Sequence, residues 1–113
     1  MDFDEIIYGM NQVVFSLSRS VRYRAPSQSQ IRESIEWSSY VIAAGDDIID
    51  AILCSSTDIT DTLRSLRNKY RKASRLAKRV NPGTTTNMFD VYTYVLDDIT
   101  DYILRLEAKS HGR

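Results

Sequence analysis

Two aspartate-rich segments contain the residues best suited to chemistry. Residues 46–50 (DDIID) and 97–101 (DDITD) both have the pattern DDxxD, and residues 58–61 (DITD) form a shorter version of it. Carboxylates three or four positions apart share one face of a helix, where they can hold Mg²⁺ as it bridges to a diphosphate. The candidate metal ligands on this basis are Asp47, Asp50, Asp58 and Asp61.

These acidic segments loosely resemble those of two enzyme families. Trans-prenyl diphosphate synthases use DDxxD on two helices, although their chains are much longer. The stretch from Arg24 to Ile52, followed by residues 58–61, resembles the MazG-like nucleotide pyrophosphohydrolases, which are small helical bundles with ExxE and ExxD pairs on adjacent helices. That resemblance implies Mg²⁺-dependent hydrolysis of a nucleotide pyrophosphate. Ala43 and Ala44 stand where that family carries acids, and Asp replaces Glu at the remaining positions.

The same pattern also gives a physical argument against catalysis. If Ile42, Ile49 and Ile99 face a core, then Asp47 and Asp50 point outward, whereas a metal cleft requires convergent carboxylates. The sequence has no nucleophile–base pair, glycine-rich phosphate loop or Cys/His metal set. We therefore expect a protein that is not an enzyme and needs no cofactor.

A strongly basic segment lies between the two DDxxD segments. Residues 64–79 carry eight basic side chains and no acid, although the whole chain has formal net charge +0. An arginine-rich helix face is typical of contact with a polyanion such as the phosphate backbone of a nucleic acid. The alternative interpretation is a solvated face that neutralises acidic neighbouring helices. The candidate polyanion-binding residues are Arg64, Arg67, Arg71, Lys72, Arg75, Lys78 and Arg79.

Hydrophobic periodicity predicts four helices that would carry these residues. Only 4 glycines and 2 prolines interrupt the 113 residues, which favours long helices over many short strands. Apolar residues recur at steps of three and four, the spacing of one helical face. The predicted helices cover roughly residues 2–23, 29–54, 58–80 and 87–108, and the tail 110–113 is expected to be frayed.

The spacing also predicts which side of each helix faces the core. The expected core stripe of the second helix consists of Ile35, Ile42, Ile49 and Ile52, with Val41 and Ile48 alongside. The small residues Ser38 and Gly45 on this stripe would let a neighbouring helix approach closely. In the third helix, the expected seam consists of Ile59, Leu63, Leu66, Tyr70, Ala73, Ala77 and Val80.

Short connections between the helices predict an all-α, up-down-up-down four-helix bundle, with residues 1–113 forming a single domain. Alternating helix directions would then collect the aspartates near one end of the bundle. The arginines of residues 19–24 and the second half of the third helix would lie at the other end, about 30 Å away. Because this exceeds a Debye length of about 8 Å, the two ends are expected to act as separate charged patches.

This charge layout favours an assembly or adaptor module that contacts copies of itself or a larger protein assembly, such as a viral or other multi-subunit particle. The alternatives are a nucleic-acid-associated protein, which uses the third helix, and a small MazG-like pyrophosphohydrolase. No apolar run reaches transmembrane length, and the N-terminal sequence MDFDEIIYGM is acidic where a secretory signal is basic. We therefore expect a cytoplasmic protein, in a cell or in a virus-infected cell or virion, with no membrane partner.

Overall fold

Over residues 3–21, 24–83 and 87–111, which the computed structural model describes, the chain forms four helices and no strand. The helices are α1 (Phe3–Ser18), α2 (Gln28–Cys54), α3 (Ile59–Val80) and α4 (Met88–His111). Short connections join them and successive helices run in opposite directions. The predicted all-α, up-down-up-down four-helix bundle is therefore confirmed.

Local side-chain hydrogen bonds determine where three of the helices begin. Ser27 caps α2 by accepting a bond from the backbone N–H of Gln30, whose side chain accepts the N–H of Ser27 in return. Asp58 caps α3 in the simpler way, through its side chain alone. Asn87 precedes α4, where its Oδ1 accepts the backbone N–H of Asp90 at 3.2 Å. Each bond satisfies a backbone donor that has no partner within the helix.

The predicted end of the first helix at residue 23 is wrong, because α1 ends at Ser18. In a continuing helix the carbonyl oxygen of Leu17 would accept the backbone N–H of Val21. Instead, the indole N–H of Trp37 donates to that carbonyl at 2.7 Å, and the Ser20 hydroxyl also donates to it at 2.7 Å. Competing donors of this kind favour termination of a helix.

The last helix is longer than predicted. We expected it to end near residue 108 and to leave residues 110–113 frayed, but α4 continues through His111. Residues 112–113 lie outside the described ranges.

The helices also differ in length: α2 has 27 residues and α1 has 16. Within the described ranges, no helix combines the length and the apolar character that crossing a membrane requires.

The four helices pack as a flattened bundle in which α2 and α4 lie together at the centre. Both α1 and α3 pack against this central pair, but no Cα atoms of α1 and α3 come within 8 Å of each other. One contiguous core results, and its residues come from all four helices. Its buried apolar residues are Ile6, Met10, Val14, Val41, Ala44, Ile48, Ile52, Leu63, Leu66, Tyr70, Val91, Val95, Leu96, Ile99 and Ile103.

The predicted core face of α2 is confirmed only in part. Val41, Ile48 and Ile52 are buried, whereas Ile35 and Ile42 are exposed and Ile49 is only partly buried. The buried face is centred to one side of Ile35, Ile42 and Ile49. It includes Gly45, as predicted, and Ala44, and these small residues let neighbouring helices come closer than isoleucine would. The last position of the expected α3 seam, Val80, is also exposed.

Two glycines allow neighbouring helices to pack closely against α1. A Cβ atom on Gly45 would lie 2.7 Å from both γ-methyl groups of Val14, so α1 and α2 contact each other as closely there as the predicted small residue suggested. On the other side of α1, the ring of Tyr102 from α4 covers Gly9, and its hydroxyl donates to the backbone oxygen of Glu5 at 3.3 Å.

We expect Gly45→Ala to destabilise the fold by about 1 kcal/mol in urea unfolding. Overpacking against the Val14 methyl groups costs about 1–3 kcal/mol, and the better helix propensity of Ala returns about 1 kcal/mol of it. Gly83→Ala is the control, because a Cβ there meets nothing within 4 Å, and it should change stability by less than about 0.5 kcal/mol. In a Val14→Ala background the cost of Gly45→Ala should disappear; persistence of the full cost would contradict this account.

Candidate functional site

The basic side chains of α3 occupy the part of the helix surface that the core leaves free. Leu63, Leu66, Tyr70 and Ser74 form the buried face. Five bases follow one another at steps of three and four along the edge that faces α4, so they form a single row. These five are Arg64, Arg67, Arg71, Arg75 and Lys78, whereas Lys69, Lys72 and Arg79 lie farther from α4; all eight are exposed.

Acids neutralise three of the seven candidate polyanion-binding residues. Arg67 Nη2 lies 3.6 Å from Asp97 Oδ1 of α4, and Lys78 Nζ lies 3.4 Å from Asp90 Oδ1 of the same helix. Arg64 pairs with Asp61, one turn earlier in α3, at 3.6 Å. The interpretation of this face as a neutraliser of the neighbouring helix therefore fits part of the row. The side chains of these pairs remain between 30% and 71% exposed, so each pair contributes little to stability.

The two arginines in the row between Arg67 and Lys78 have no acidic partner on α4. Thr93 lies on α4 between Asp90 and Asp97, so α4 presents a hydroxyl rather than a carboxylate there. Arg71 and Arg75 line a shallow groove of about 310 Å³ together with Thr93. Across the described ranges, no acid lies within ion-pair distance of the remaining bases, which are Lys69, Arg71, Lys72, Arg75 and Arg79.

Asp90 lies at the border of this groove, and hydrogen bonds hold its carboxylate in place. Partial burial raises its pKa, but hydrogen bonds outweigh this effect and hold the pKa of Asp90 below its usual value. They come from the Ser74 hydroxyl at 2.7 Å, the Asn87 backbone N–H at 3.1 Å and Lys78. Asp90 is therefore ionised at neutral pH, links α3 to α4, and competes with any incoming anion for Lys78. The sequence interpretation did not single it out.

The four candidate metal ligands have separate structural roles. Asp47 accepts a hydrogen bond from the hydroxyl of Tyr70, Asp58 caps α3, and Asp61 pairs with Arg64. Asp50 is exposed on the outer surface of α2. Among the described residues, no three His, Cys, Asp or Glu side chains are grouped so that they could hold a metal ion.

The prediction that Asp47 points outward is wrong. Asp47 is half buried, because Tyr70, fully buried in the α3 seam, directs its hydroxyl at it. Burial, followed by the hydrogen bond to Asp47, raises the pKa of Tyr70 far above its usual value, so the phenol stays protonated and donates. A tyrosine on an otherwise apolar seam is the sequence signal for such a buried donor, which must find an acceptor.

The second DDxxD segment directs its carboxylates to three different places. Asp97 pairs with Arg67, and Asp101 lies 3.7 Å from Arg105. Asp98 lines an open groove of about 530 Å³ between α1 and α4. Burial, with smaller contributions from Asp101 and Asp97, raises the pKa of Asp98. The two DDxxD segments are therefore alike in sequence but do not form one convergent site.

The topology groups charged residues at the two ends of the bundle. Contact between Tyr102 and Glu5 brings the end of α4 beside the start of α1, and contact between Trp37 and Leu17 joins α1 to α2 at the opposite end. The first, acidic end has Asp4, Glu5, Asp50, Asp58, Asp61, Asp101 and Glu107 against Arg64, Arg105 and Lys109. The second, basic end has Arg19, Arg24, Arg32, Lys72, Arg75, Lys78 and Arg79 against Glu33, Glu36 and Asp90. Asp2 and Arg22, also expected at these ends, lie outside the described residues.

No protein-family model, no curated protein and no solved structure matches this chain.

Proposed function

We propose that this chain is a non-enzymatic assembly module that acts through protein–protein contacts, either with copies of itself or with a larger partner. The observation that carries the proposal is the separation of charge between the acidic end and the basic end of a chain whose formal net charge is +0. Opposite ends attract and like ends repel, so copies would associate head to tail. Such heterologous contacts add subunits without closing unless the rotation between subunits forms a ring.

The size of the bundle makes this attraction effective. The 27 residues of α2 extend about 40 Å, and the longest dimension of the molecule is 49 Å. At physiological salt the Debye length is about 8 Å, so the charge of one end is screened from the other end of the same molecule. A neighbouring molecule in contact with one end experiences that end almost alone, because the opposite charge lies several Debye lengths away.

The separate roles of the aspartates support a non-enzymatic function over a pyrophosphohydrolase. Hydrolysis of a diphosphate with Mg²⁺ requires carboxylates that converge on the ions gripping the leaving group. Here Asp47 accepts the Tyr70 hydroxyl, Asp58 caps a helix and Asp61 pairs with an arginine. Recruiting them to a metal would break contacts that stabilise the fold.

We expect head-to-tail association at low salt and its loss at high salt. Sedimentation velocity should show oligomers at about 10 mM NaCl, where the Debye length is about 30 Å, and their dissociation at about 1 M, where it is about 3 Å. Glu5→Lys combined with Asp50→Lys, at the acidic end, should abolish the low-salt oligomers.

The matched control for this experiment is Glu33→Lys combined with Glu36→Lys. It makes the same change in net charge but at the basic end, so it should preserve or strengthen association. Equal loss in both variants would show that net charge rather than the separation of charge drives association. A wild-type protein that remains monomeric at low salt and high concentration would contradict the head-to-tail proposal.

A second candidate function is non-specific binding of a nucleic-acid phosphate backbone along α3. The observation that favours it is the group of exposed bases without an acidic partner, two of which, Arg71 and Arg75, border the groove beside Lys78. Arginine suits this role because its planar guanidinium can contact a phosphate through two parallel hydrogen bonds. Contacts of this kind position a protein on a duplex without reading its sequence.

We expect a variant with Arg71→Gln and Arg75→Gln to bind all duplex sequences more weakly in gel shifts. Its slope of log affinity against log salt should flatten by about 0.9 for each phosphate contact that is lost. Arg64→Gln combined with Arg67→Gln is the comparison, since acids already pair with both residues, and its effect should be smaller. Absence of any shift at low salt for the wild type would exclude this candidate.

A further inference from the structure

The outer face of α2 is an exposed apolar stripe. Ile31, Ile35, Ile42 and Leu53 keep 44%, 62%, 48% and 53% of their surface exposed, and Ile49, which lies on the same stripe, is only partly buried. These five residues, which we call the α2 outer stripe, follow one another at steps of four and seven. They therefore lie along one side of the helix.

The α2 outer stripe cannot pack into the bundle core, because α2 already turns a different face toward that core. Val41, Ala44, Ile48 and Ile52 are buried there. Helix α1 also flanks only part of α2: Val14 contacts Gly45, the two helices run antiparallel, and α1 ends at Ser18. The half of α2 that carries Ile31 and Ile35 therefore extends beyond the end of α1.

The spacing of the stripe is symmetric about its middle residue. The steps from Ile31 through Ile35, Ile42 and Ile49 to Leu53 are 4, 7, 7 and 4. A two-fold axis through Ile42 that reverses the helix direction therefore maps the stripe onto itself. We propose that two copies of this chain pair through the α2 outer stripe, with their α2 helices antiparallel and Ile42 facing Ile42 of the other copy.

The charges beside the stripe favour this orientation. Arg32 lies on the same flank of α2 as Asp46 and Asp50, but near the opposite end of the stripe. Antiparallel pairing about Ile42 brings Arg32 of one copy within about 3 Å, measured along the helix axis, of the level of Asp50 of the other. The two-fold symmetry makes this pair twice. A parallel, in-register pair would instead leave Arg32 of one copy about 27 Å along the axis from Asp50 of the other, so this ion pair could not form.

The pairing also uses the part of α2 that α1 leaves uncovered. In the antiparallel arrangement, the half of α2 that carries Ile31 and Ile35 in one copy lies level with the half of α2 that α1 flanks in the other copy. The exposed ring of Phe15, next to the contact residue Val14, then lies level with that half. The stripe is about 33 Å long on a helix about 10 Å wide, which is small for a stable protein interface. We therefore expect a reversible, concentration-dependent dimer.

This pairing belongs to the proposed assembly role but depends on a different surface from the charged ends. Its test is oxidative cross-linking at about 1 M NaCl, where end-to-end attraction is screened. All variants carry Cys54→Ser, because the native thiol is exposed. Ile42→Cys is compared with Ile35→Cys on the same stripe. Leu76→Cys is the control, since Leu76 is 62% exposed on α3 and off the stripe.

Ile42→Cys should form a symmetric disulfide dimer at least about tenfold faster than the other two variants, because pairing raises the local thiol concentration. In the Ile35→Cys variant, the two introduced thiols would lie about 21 Å apart along the axis, too far for a disulfide. Linking of Ile35→Cys as fast as Ile42→Cys would indicate parallel pairing and overturn the proposal. Equal rates for all three variants would show that the stripe does not pair with itself, even if the low-salt oligomers form.

Discussion

Each helix of a bundle can turn only one face toward a single core, and α2 has two apolar faces. Its face with Ala44 and Gly45 packs inward, and the missing side chain of Gly45 lets α1 approach closely. The central contact of α2 with α4 then holds the bundle together, with α1 and α3 on either side. The consequence is an isoleucine-rich face that points away from the core. An exposed apolar stripe on a small bundle indicates a protein contact, so the packing of one helix links the fold to the proposed function.

The aspartates of α2 show how fold and function share one charged segment. Acids near the C-terminal end of a helix oppose its dipole, so local helix stability does not explain Asp46, Asp47 and Asp50. Asp47 has a role inside the molecule, since it accepts the hydroxyl of the buried Tyr70. Asp46 and Asp50 remain on the outer surface. In the proposed antiparallel pair they face the half of the second copy that carries Arg32, so the unfavourable placement in one chain becomes favourable between two.

Much of the fold follows from local rules in the sequence, and the parts that do not are determined by contacts distant in the chain. Ser27 and Asp58 open α2 and α3 through bonds to backbone N–H groups within three residues. The end of α1 depends on Trp37, twenty residues away, whose indole takes the Leu17 carbonyl. Periodicity placed the apolar residues of α2 on one core face, but it could not say that Val41 and Ile48 pack inward while Ile35 and Ile42 remain exposed. The aspartate pattern similarly identified the acids but not their hydrogen-bond partners. The role of Asp47 follows only from the structure, which places the Tyr70 hydroxyl beside it.

The claim that the outer face of α2 is a protein contact is tested most directly by sedimentation equilibrium at high salt. For the wild type, we predict a reversible equilibrium between the 13.0 kDa monomer and a dimer of twice that mass. The dimer should weaken little as salt rises, because apolar contacts hold it together and the two exposed Arg32–Asp50 pairs add little to its stability. Ile42→Glu should remain monomeric while keeping its helical circular dichroism. A wild-type protein that is monomeric up to about 1 mM, or an Ile42→Glu variant that dimerises equally well, would contradict the account.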